Sequence, residues 1–283
     1  MGFLDKLVTN DLEGMAHGEA RYTALLSPQG KVLFEFIAVG LAGDDVVLID
    51  VARDAAPELV KRLTLYRLRA KIEIADLSAD FGVACLQTGA GGAPHGASPL
   101  AEYIDPRDPA LGRRAIMRKG DLPPDNGEDD YDALRISLRV PEAGRDYALG
   151  EIVPHEALLD RLHGVSFSKG CYVGQEIVAR MEHRGTARKR FVRVASDAPL
   201  PPMGTEIRAG EALAGLMGSS CGGRTTAGEA SCRYMGLALL RLDRLADFEA
   251  KGVALTSGGV GVTPHAADVT DLMPKAPDPV GLD

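Results

Sequence analysis

The segment Lys169-Gly170-Cys171-Tyr172-Val173-Gly174-Gln175-Glu176 decides how the rest of the chain is interpreted. It combines a thiol, a cation, an amide and a carboxylate, and two glycines bracket the cysteine. Glycine accepts positive φ and leaves room for close approach, so the spacing predicts a tight turn that presents the sulfur. A nearby lysine favours the thiolate, the form of cysteine that attacks electrophiles or binds metals. Cys171 and Lys169 are therefore the candidate catalytic residues, although a free cysteine often only fills space in a core.

Composition favours a soluble protein with two or three lobes. The chain has 283 residues and 45% hydrophobic content, near the size at which one core divides into several. Its net charge of -8 disfavours non-specific nucleic-acid binding. The start of the chain lacks a signal peptide and no apolar run is long enough to cross a bilayer, which predicts a cytoplasmic protein without a membrane contact. The cysteines, Cys85, Cys171, Cys221 and Cys232, form no Cys-x-x-Cys pair, which predicts a reducing compartment and no structural metal site.

The order of strand and helix patterns predicts an α+β fold. β-prone residues surround a Ser27-Pro28-Gln29-Gly30 turn, and apolar residues recur at helical spacing after Pro57. The predicted elements are a hairpin over 21–39, a strand over 46–51, a helix over 57–66, a strand at 71–74, a strand pair between 115 and 140, and a helix over 154–163 that Gly164 ends.

Beyond Arg190, short apolar runs are separated by glycines, a pattern typical of a small β-barrel. The runs lie at 191–195, 205–208, 212–219, 236–242 and 253–256. We therefore expect an α+β body over residues 1–189, a barrel over 190–265 and a weakly ordered, proline-rich tail over 266–283.

Several segments together are similar to the YgfZ group within the GcvT-like folate-binding superfamily. The octapeptide continues through 177–180 and 184–190 in the manner of that group, and Leu65 to Lys71 resembles its helix-to-strand junction. Further matching segments, in the same order, are Asn10-Asp11-Leu12, Tyr22 to Lys31, Asp105-Pro106-Arg107, Pro154-His155-Glu156 and Gly164 to Phe167.

This resemblance implies folate-binding lobes around a central channel, followed by the barrel, with tetrahydrofolate or a derivative as cofactor. It implies a role in the assembly or repair of iron–sulfur clusters, iron–sulfur client or assembly proteins as partners, and an influence on transfer-RNA modification through such clients. Glu176 corresponds to a superfamily position near the folate, and a carboxylate suits the paired donors of a pterin. Gln175, Tyr22, Asn10 and Arg180 are the other candidate folate ligands, with Arg180 opening a basic strip that reaches Arg193.

Two other functions remain open. The glycine-cleavage T-protein of the same superfamily transfers an aminomethyl-derived one-carbon unit to tetrahydrofolate with a catalytic aspartate. Pro57 or Glu58 aligns near that aspartate here, so ordinary aminomethyltransferase activity is doubtful unless Glu58 or Asp54 substitutes. The third possibility is a non-catalytic binding module that uses the basic strip, where the near absence of aromatic residues argues against direct nucleic-acid binding. Structural roles compete at each position, because a strand tyrosine is more often core and a glutamate more often solvated.

Overall fold

The structure is a computed structural model that describes residues 2–41, 46–86, 98–124, 127–185, 187–222 and 234–273. The chain divides into two compact units. The first contains residues 1–127 and 159–175, and the second contains residues 128–158 and 176–283. Residues 128–158 thus group with the barrel region, a division that differs from the continuous domains expected from the sequence.

The first unit contains two three-stranded antiparallel sheets. One sheet has the order β1-β2-β3 and the other β4-β6-β5. The elements are α1 (Gly2–Asp5), β1 (Ala20–Leu26), β2 (Val32–Gly40), β3 (Val47–Asp50), α2 (Ala56–Arg67), β4 (Phe81–Leu86), β5 (Ala101–Ile104) and β6 (Arg113–Arg118), with short 3₁₀ turns at Arg53–Ala55, Pro109–Leu111 and Lys119–Asp121.

The predicted hairpin is confirmed. Tyr22 pairs with Ile37 across β1 and β2, and the turn closes with a hydrogen bond from the Gly30 amide to the Ser27 carbonyl. The core of this unit lies between this sheet and α2, because Leu59 and Leu63 on one helix face pack against strand residues such as Phe36. Burial of these side chains holds α2 on the sheet.

The second unit contains a closed antiparallel barrel with the strand order β10-β7-β12-β11-β8-β9. The predicted barrel and the α+β class are both confirmed. The elements are α3 (Glu128–Ser137), α4 (Gln175–Arg184, whose first residue belongs to the first unit), β7 (Lys189–Ser196), β8 (Glu206–Ala209), β9 (Ala212–Gly222), β10 (Tyr234–Arg241), α5 (Leu242–Ala250), β11 (Leu255–Ser257), β12 (Val260–Pro264) and α6 (Ala266–Leu272).

Several local predictions are wrong. Residues 154–163 form consecutive turns instead of a helix, because Leu158 (φ 62°) and His163 (φ 58°) both have positive φ, which an α-helix does not accommodate. Residues 71–76 run without strand pairing, and α3 occupies part of the region where a strand pair was expected. The tail begins as the helix α6, while residues 274–283 of that prediction lie outside the described residues.

Within the described ranges, no helix combines the length and the apolar character that a bilayer crossing requires.

Candidate functional site

The octapeptide begins with a buried lysine that anchors it to the start of the chain. Only 2% of the Lys169 side chain is exposed, and its Nζ lies 3.0 Å from Asp5 Oδ1. The same ammonium donates to the carbonyl oxygens of Asp5 at 2.5 Å, Val8 at 3.1 Å and Asn10 at 2.8 Å. Oxygen acceptors and a carboxylate therefore compensate the buried charge. Lys169 was expected to favour the thiolate of Cys171, and this catalytic role of Lys169 stays a prediction.

Gly174 fixes the other end of the turn against the tip of the β1–β2 hairpin. Its φ is +83°, and a Cβ atom at this position would lie 2.7 Å from the Ser27 carbonyl oxygen and 3.2 Å from the Gly30 Cα. A side chain would thus meet backbone at both contacts, and L-residues also disfavour this φ. Glycine leaves the room that this contact between two backbone segments of the first unit requires.

Cys171 lies exposed between these two anchors, as a free thiol. The preceding Gly170 borders open space, while the following Tyr172 is buried, with 8% of its surface exposed. Burial raises the pKa of the Tyr172 hydroxyl to about 12, and the Lys169 ammonium lies 5.6 Å from the ring centroid. The turn therefore presents an accessible sulfur on a backbone that a buried cation, a buried ring and a backbone contact hold in place.

Asn10 and Tyr22, the candidate ligands of the opening hairpin, make internal contacts. The Asn10 Nδ2 donates to the carbonyl oxygens of Tyr22 at 2.8 Å and His163 at 2.7 Å. Tyr22 is 2% exposed and its hydroxyl donates to Glu35 Oε2 at 2.6 Å. These bonds connect the hairpin to the segment that leads into the octapeptide. Both residues therefore have a structural role, and their folate contacts stay predictions.

The other candidate ligands are on α4. Glu176 is 83% exposed at its side chain and pairs with Arg180 at 2.7 Å, one turn along the helix. The Gln175 Nε2 is 3.5 Å from the Gly170 carbonyl oxygen, a long contact that leaves the amide available for other partners. Glu176 and Arg180 together present a carboxylate and a guanidinium to solvent.

Only some cations of the basic strip between Arg180 and Arg193 are exposed to solvent. Arg190 is 8% exposed and donates to the His155 carbonyl at 2.9 Å. Arg193 is 23% exposed at its side chain and pairs with Asp268 at 2.8 Å. Two of the strip's cations therefore stabilise the second unit.

The sequence interpretation missed a buried charge network in the first unit. Asp50 accepts hydrogen bonds from the Tyr103 hydroxyl at 2.6 Å and from Arg114 Nε at 2.7 Å. Asp105 pairs with Arg107 through both carboxylate oxygens. Burial opposes ionisation of Asp105, but the hydrogen bonds and charge of Arg107 outweigh it and hold the pKa of this carboxyl below its usual range. The opposite charges of Asp105 and Arg107, two positions apart, could have indicated this ion pair, whereas nothing local in the sequence pairs Asp50 with Arg114.

A cleft of about 430 Å³ lies in the first unit between β3, α2 and the unpaired segment 72–78. Its wall is largely apolar and includes Ile49, Leu59, Leu63, Ile74 and Phe81. Arg53 spans its rim by donating to the Ser78 carbonyl at 3.1 Å. None of the candidate folate ligands lines this cleft.

The remaining sequence candidates are dispersed. Glu58, which aligns near the T-protein aspartate, is 69% exposed and lies 3.4 Å from Lys61. Cys85 is exposed and lies 3.4 Å from Arg114 Nη1, while Cys221 is half-buried on β9. Cys232 lies outside the described residues. Among the three cysteines that the structure describes, Cys171 combines an exposed thiol with backbone anchors on both sides.

Comparison with known proteins defines the class of the fold. The solved glycine cleavage system aminomethyltransferase T from Bartonella henselae superposes with a TM-score of 0.67 at 14% identity, covering 97% of this chain and 82% of that chain. Residues 188–271 match the C-terminal beta-barrel domain of CAF17. The chain thus has a GcvT-like α+β fold with a CAF17-type C-terminal barrel, as expected from the sequence.

Sequence comparison narrows this class to a family. The mitochondrial iron–sulfur cluster assembly factor IBA57 of Homo sapiens is 34% identical over 277 residues, and that of Mus musculus is 31% identical over 271 residues. Each alignment covers 86% of this chain and 73% of the relative. The chain belongs to the IBA57 family of iron–sulfur cluster assembly factors. It spans about half the length of some fungal members, with 51% of the Mycosarcoma maydis homologue covered at 34% identity.

These relatives correct one prediction and leave another open. The prediction of a cytoplasmic location is wrong by this comparison, because the relatives are named as mitochondrial proteins and point to the mitochondrion instead. Unpaired cysteines fit either location, so cysteine usage does not separate the two. The narrower assignment to the YgfZ group, within the same superfamily, stays a prediction.

Proposed function

We propose that this protein is an iron–sulfur cluster assembly factor and that Cys171 is its reactive group. Membership of the IBA57 family supports the role in assembly. The observation that carries the residue assignment is the exposed Cys171 thiol on a turn that Lys169 and Gly174 fix from both sides. Iron–sulfur client or assembly proteins are the corresponding partners.

The proposed step is a ligand exchange at iron, with the cluster as substrate. Cys171 loses its proton to water, and the sulfur takes the coordination position that a departing ligand leaves on one iron. No electron is transferred, and the reverse exchange releases the cluster to the next protein. An anchored turn suits this step, because the sulfur reaches the cluster without a large loss of backbone entropy.

The test is replacement of Cys171 by serine in cells that lack the endogenous protein. Cys171→Ser should abolish the rescue of iron–sulfur enzyme activity while the purified variant keeps wild-type stability. Cys85→Ser is the matched control, since Cys85 is another exposed free cysteine of the first unit. Full rescue by Cys171→Ser, or equal loss in both variants, contradicts the assignment of this thiol.

We further propose that tetrahydrofolate or a derivative binds, with Glu176, Gln175 and Arg180 among its ligands. The exposed carboxylate–guanidinium pair at the start of α4 supports this, because the two groups match the donors of a pterin and the carboxylates of a folate tail. Calorimetric titration with tetrahydrofolate should give saturable binding that Glu176→Ala weakens. The control is Glu249→Ala, an exposed glutamate on α5. Absence of binding heat at any concentration removes folate from the proposal without affecting Cys171.

Aminomethyl transfer is tested separately. The Glu58 side chain is 69% exposed and lies 3.4 Å from Lys61, so solvent surrounds the carboxylate that would have to replace the T-protein aspartate. Purified protein with a one-carbon donor and tetrahydrofolate is therefore expected to form no methylenetetrahydrofolate. Product formation that Glu58→Gln abolishes would instead support this activity.

A further inference from the structure

The C-terminal end of α2 carries a strongly basic surface. Residues 61–71 read Lys-Arg-Leu-Thr-Leu-Tyr-Arg-Leu-Arg-Ala-Lys, with cations at Lys61, Arg62, Arg67, Arg69 and Lys71 and no acidic residue, in a chain of net charge -8. All of these cations are exposed. Lys61 lies 3.4 Å from Glu58, whereas within the described ranges the other cations have no recorded ion pair.

Two leucines lie among these cations and face solvent. Leu65 is 66% exposed and Leu68 is 87% exposed. On the helix, Lys61 and Leu65 are one turn apart on the face opposite the buried Leu59 and Leu63. Single exposed leucines are ordinary, but two of them three positions apart in a cationic segment form a mixed apolar and basic surface.

The backbone conformation of Leu68 is energetically unfavourable for a leucine. Leu68 has φ 44° and ψ -107°, close to the first central position of a type II′ turn, where glycine is favoured. The turn is closed by a hydrogen bond from the Ala70 amide to the Arg67 carbonyl at 2.7 Å. Neither packing nor turn geometry explains a leucine here, because its side chain is almost fully exposed and glycine would fit the turn better.

We propose that residues 61–71, the α2 surface, dock an acidic segment of a partner protein, with Leu65 and Leu68 entering an apolar groove between the partner's carboxylates. Three of the five cations are arginines, whose planar guanidinium pairs with carboxylates through two hydrogen bonds. The unfavourable turn presents Leu68 in advance of binding, which lowers the ordering cost of the complex. This surface is independent of the cluster chemistry proposed for Cys171.

A protein partner suits the surface better than an anionic membrane or a nucleic acid. A membrane extends beyond the patch, so the acidic remainder of the chain would oppose its approach. Proteins bind single-stranded nucleic acid by stacking bases on exposed aromatic rings, whereas Tyr66, the aromatic residue of the segment, packs against the core. Leucines framed by arginines instead match the apolar centre and charged rim of protein interfaces.

The test uses fluorescence anisotropy of the full chain with a labelled helical peptide of leucine and glutamate, and a neutral peptide in which glutamine replaces every glutamate. The acidic peptide should bind at low salt and weaken as salt rises, while the neutral peptide should bind at least about tenfold more weakly. Arg62→Glu with Arg69→Glu should weaken the acidic peptide by about tenfold or more. Arg244→Glu with Lys251→Glu, exposed cations at α5, changes the net charge equally and should leave binding unchanged.

Leu68→Gly separates docking from folding. Glycine relieves the turn, so this variant should be at least as stable as the wild type in urea and yet bind the acidic peptide several-fold more weakly. Unchanged binding by Leu68→Gly, equal loss in both charge-reversal pairs, or equal binding of the neutral peptide overturns the proposal. So does binding of vesicles of phosphatidylcholine and phosphatidylserine, through the same arginines, without binding of the peptide.

Discussion

At the scale of single residues, Lys169 is a structural cation in addition to a candidate catalytic group. Its ammonium is compensated by Asp5 and by carbonyl oxygens of residues 5–10. Removing the cation leaves the Asp5 carboxylate, 12% exposed at its side chain, without its ion pair. In a buried ion pair, removal of one partner destabilises the fold chiefly because the remaining charge is left buried without compensation.

Lys169→Met should therefore lower the free energy of unfolding by about 3–5 kcal/mol. Urea unfolding of the purified variant measures the loss. Lys61→Met, at a lysine that is 69% exposed, is the control and should change the value by less than about 0.5 kcal/mol. A small loss of unfolding free energy in Lys169→Met would mean that water takes the place of the ammonium at its four oxygen partners.

Gly174 offers a second prediction at this scale. Gly174→Ala places a methyl group 2.7 Å from the Ser27 carbonyl oxygen and also strains φ. Gly14→Ala is the matched control, because Gly14 has φ +67° and open space around its Cβ position. The control should lose about 1–2 kcal/mol from φ alone, and Gly174→Ala about 1–3 kcal/mol more from the clash. Equal losses would show that the hairpin tip moves away without cost.

Part of this site could be predicted from the sequence. The glycines around Cys171 predicted a turn with an accessible sulfur; in the structure the Cys171 thiol is exposed and the turn follows it, at Val173 and Gly174. The partners of Lys169 could not be predicted, because Asp5 lies 164 positions away and only the tertiary fold brings the two together. The same holds for Asp50 and Arg114, which come from different sheets.

At the scale of elements, local patterns predicted strands better than chain reversals. Strands β2 and β7 alternate between buried and partly exposed residues over part of their length, whereas β1 and β10 are each buried over five consecutive residues. Residues 154–163 show helical spacing, yet Leu158 and His163 reverse the chain with positive φ. Leucine rarely adopts this conformation and histidine only somewhat more often, so tertiary packing decided it. The helix α6 was likewise missed, because its docking depends on partners elsewhere in the chain.

Asp268 holds α6 on the barrel. Burial opposes its ionisation, but hydrogen bonds from the Arg193 side chain and amide, with the Arg139 charge, hold the pKa of Asp268 below its usual range. A carboxyl with a lowered folded-state pKa contributes stability above its unfolded pKa and loses it as the pH falls through the folded pKa. The docking of α6 should therefore weaken below about pH 4.

Hydrogen exchange of residues 266–272, expressed as protection factors between pH 2 and 6, measures this effect. Asp268→Asn should open α6 by about 1.5–3 kcal/mol near neutral pH and remove most of the acid-dependent loss. Asp271→Asn is the control, since Asp271 is 47% exposed and pairs with Arg139 at the surface. An unchanged acid transition in Asp268→Asn would assign the pH dependence to another group.

At the scale of the whole molecule, the unit that contains the barrel also includes a segment of chain that precedes the first barrel strand. Residues 128–158 belong to the same compact unit. Arg135, fully buried, pairs with Asp146 at 2.7 Å and donates to Ser219 on β9 at 2.7 Å. Asp146 in turn accepts hydrogen bonds from the Ser219 amide and hydroxyl. A barrel fragment without this segment lacks these partners.

A fragment of residues 187–273 should accordingly be less stable than one of residues 128–273, by several kcal/mol, and should show poorly dispersed amide resonances. Urea midpoints and NMR spectra of the two fragments test this. Arg135→Met in the longer fragment separates the charged network from the bulk of the added segment. Equal stability of the two fragments would make the strands alone a self-sufficient domain.

The two-part make-up of the first unit has a consequence for synthesis. Residues 159–175 supply Lys169 for Asp5 and Gly174 for the hairpin tip, so these contacts wait until that stretch has left the ribosome. At about 5–20 residues per second, the N-terminal sheets then spend several seconds without their last segment. A chaperone that acts on nascent chains would meet this protein first as an unfinished N-terminal half, with the thiol-bearing turn as the piece that completes it.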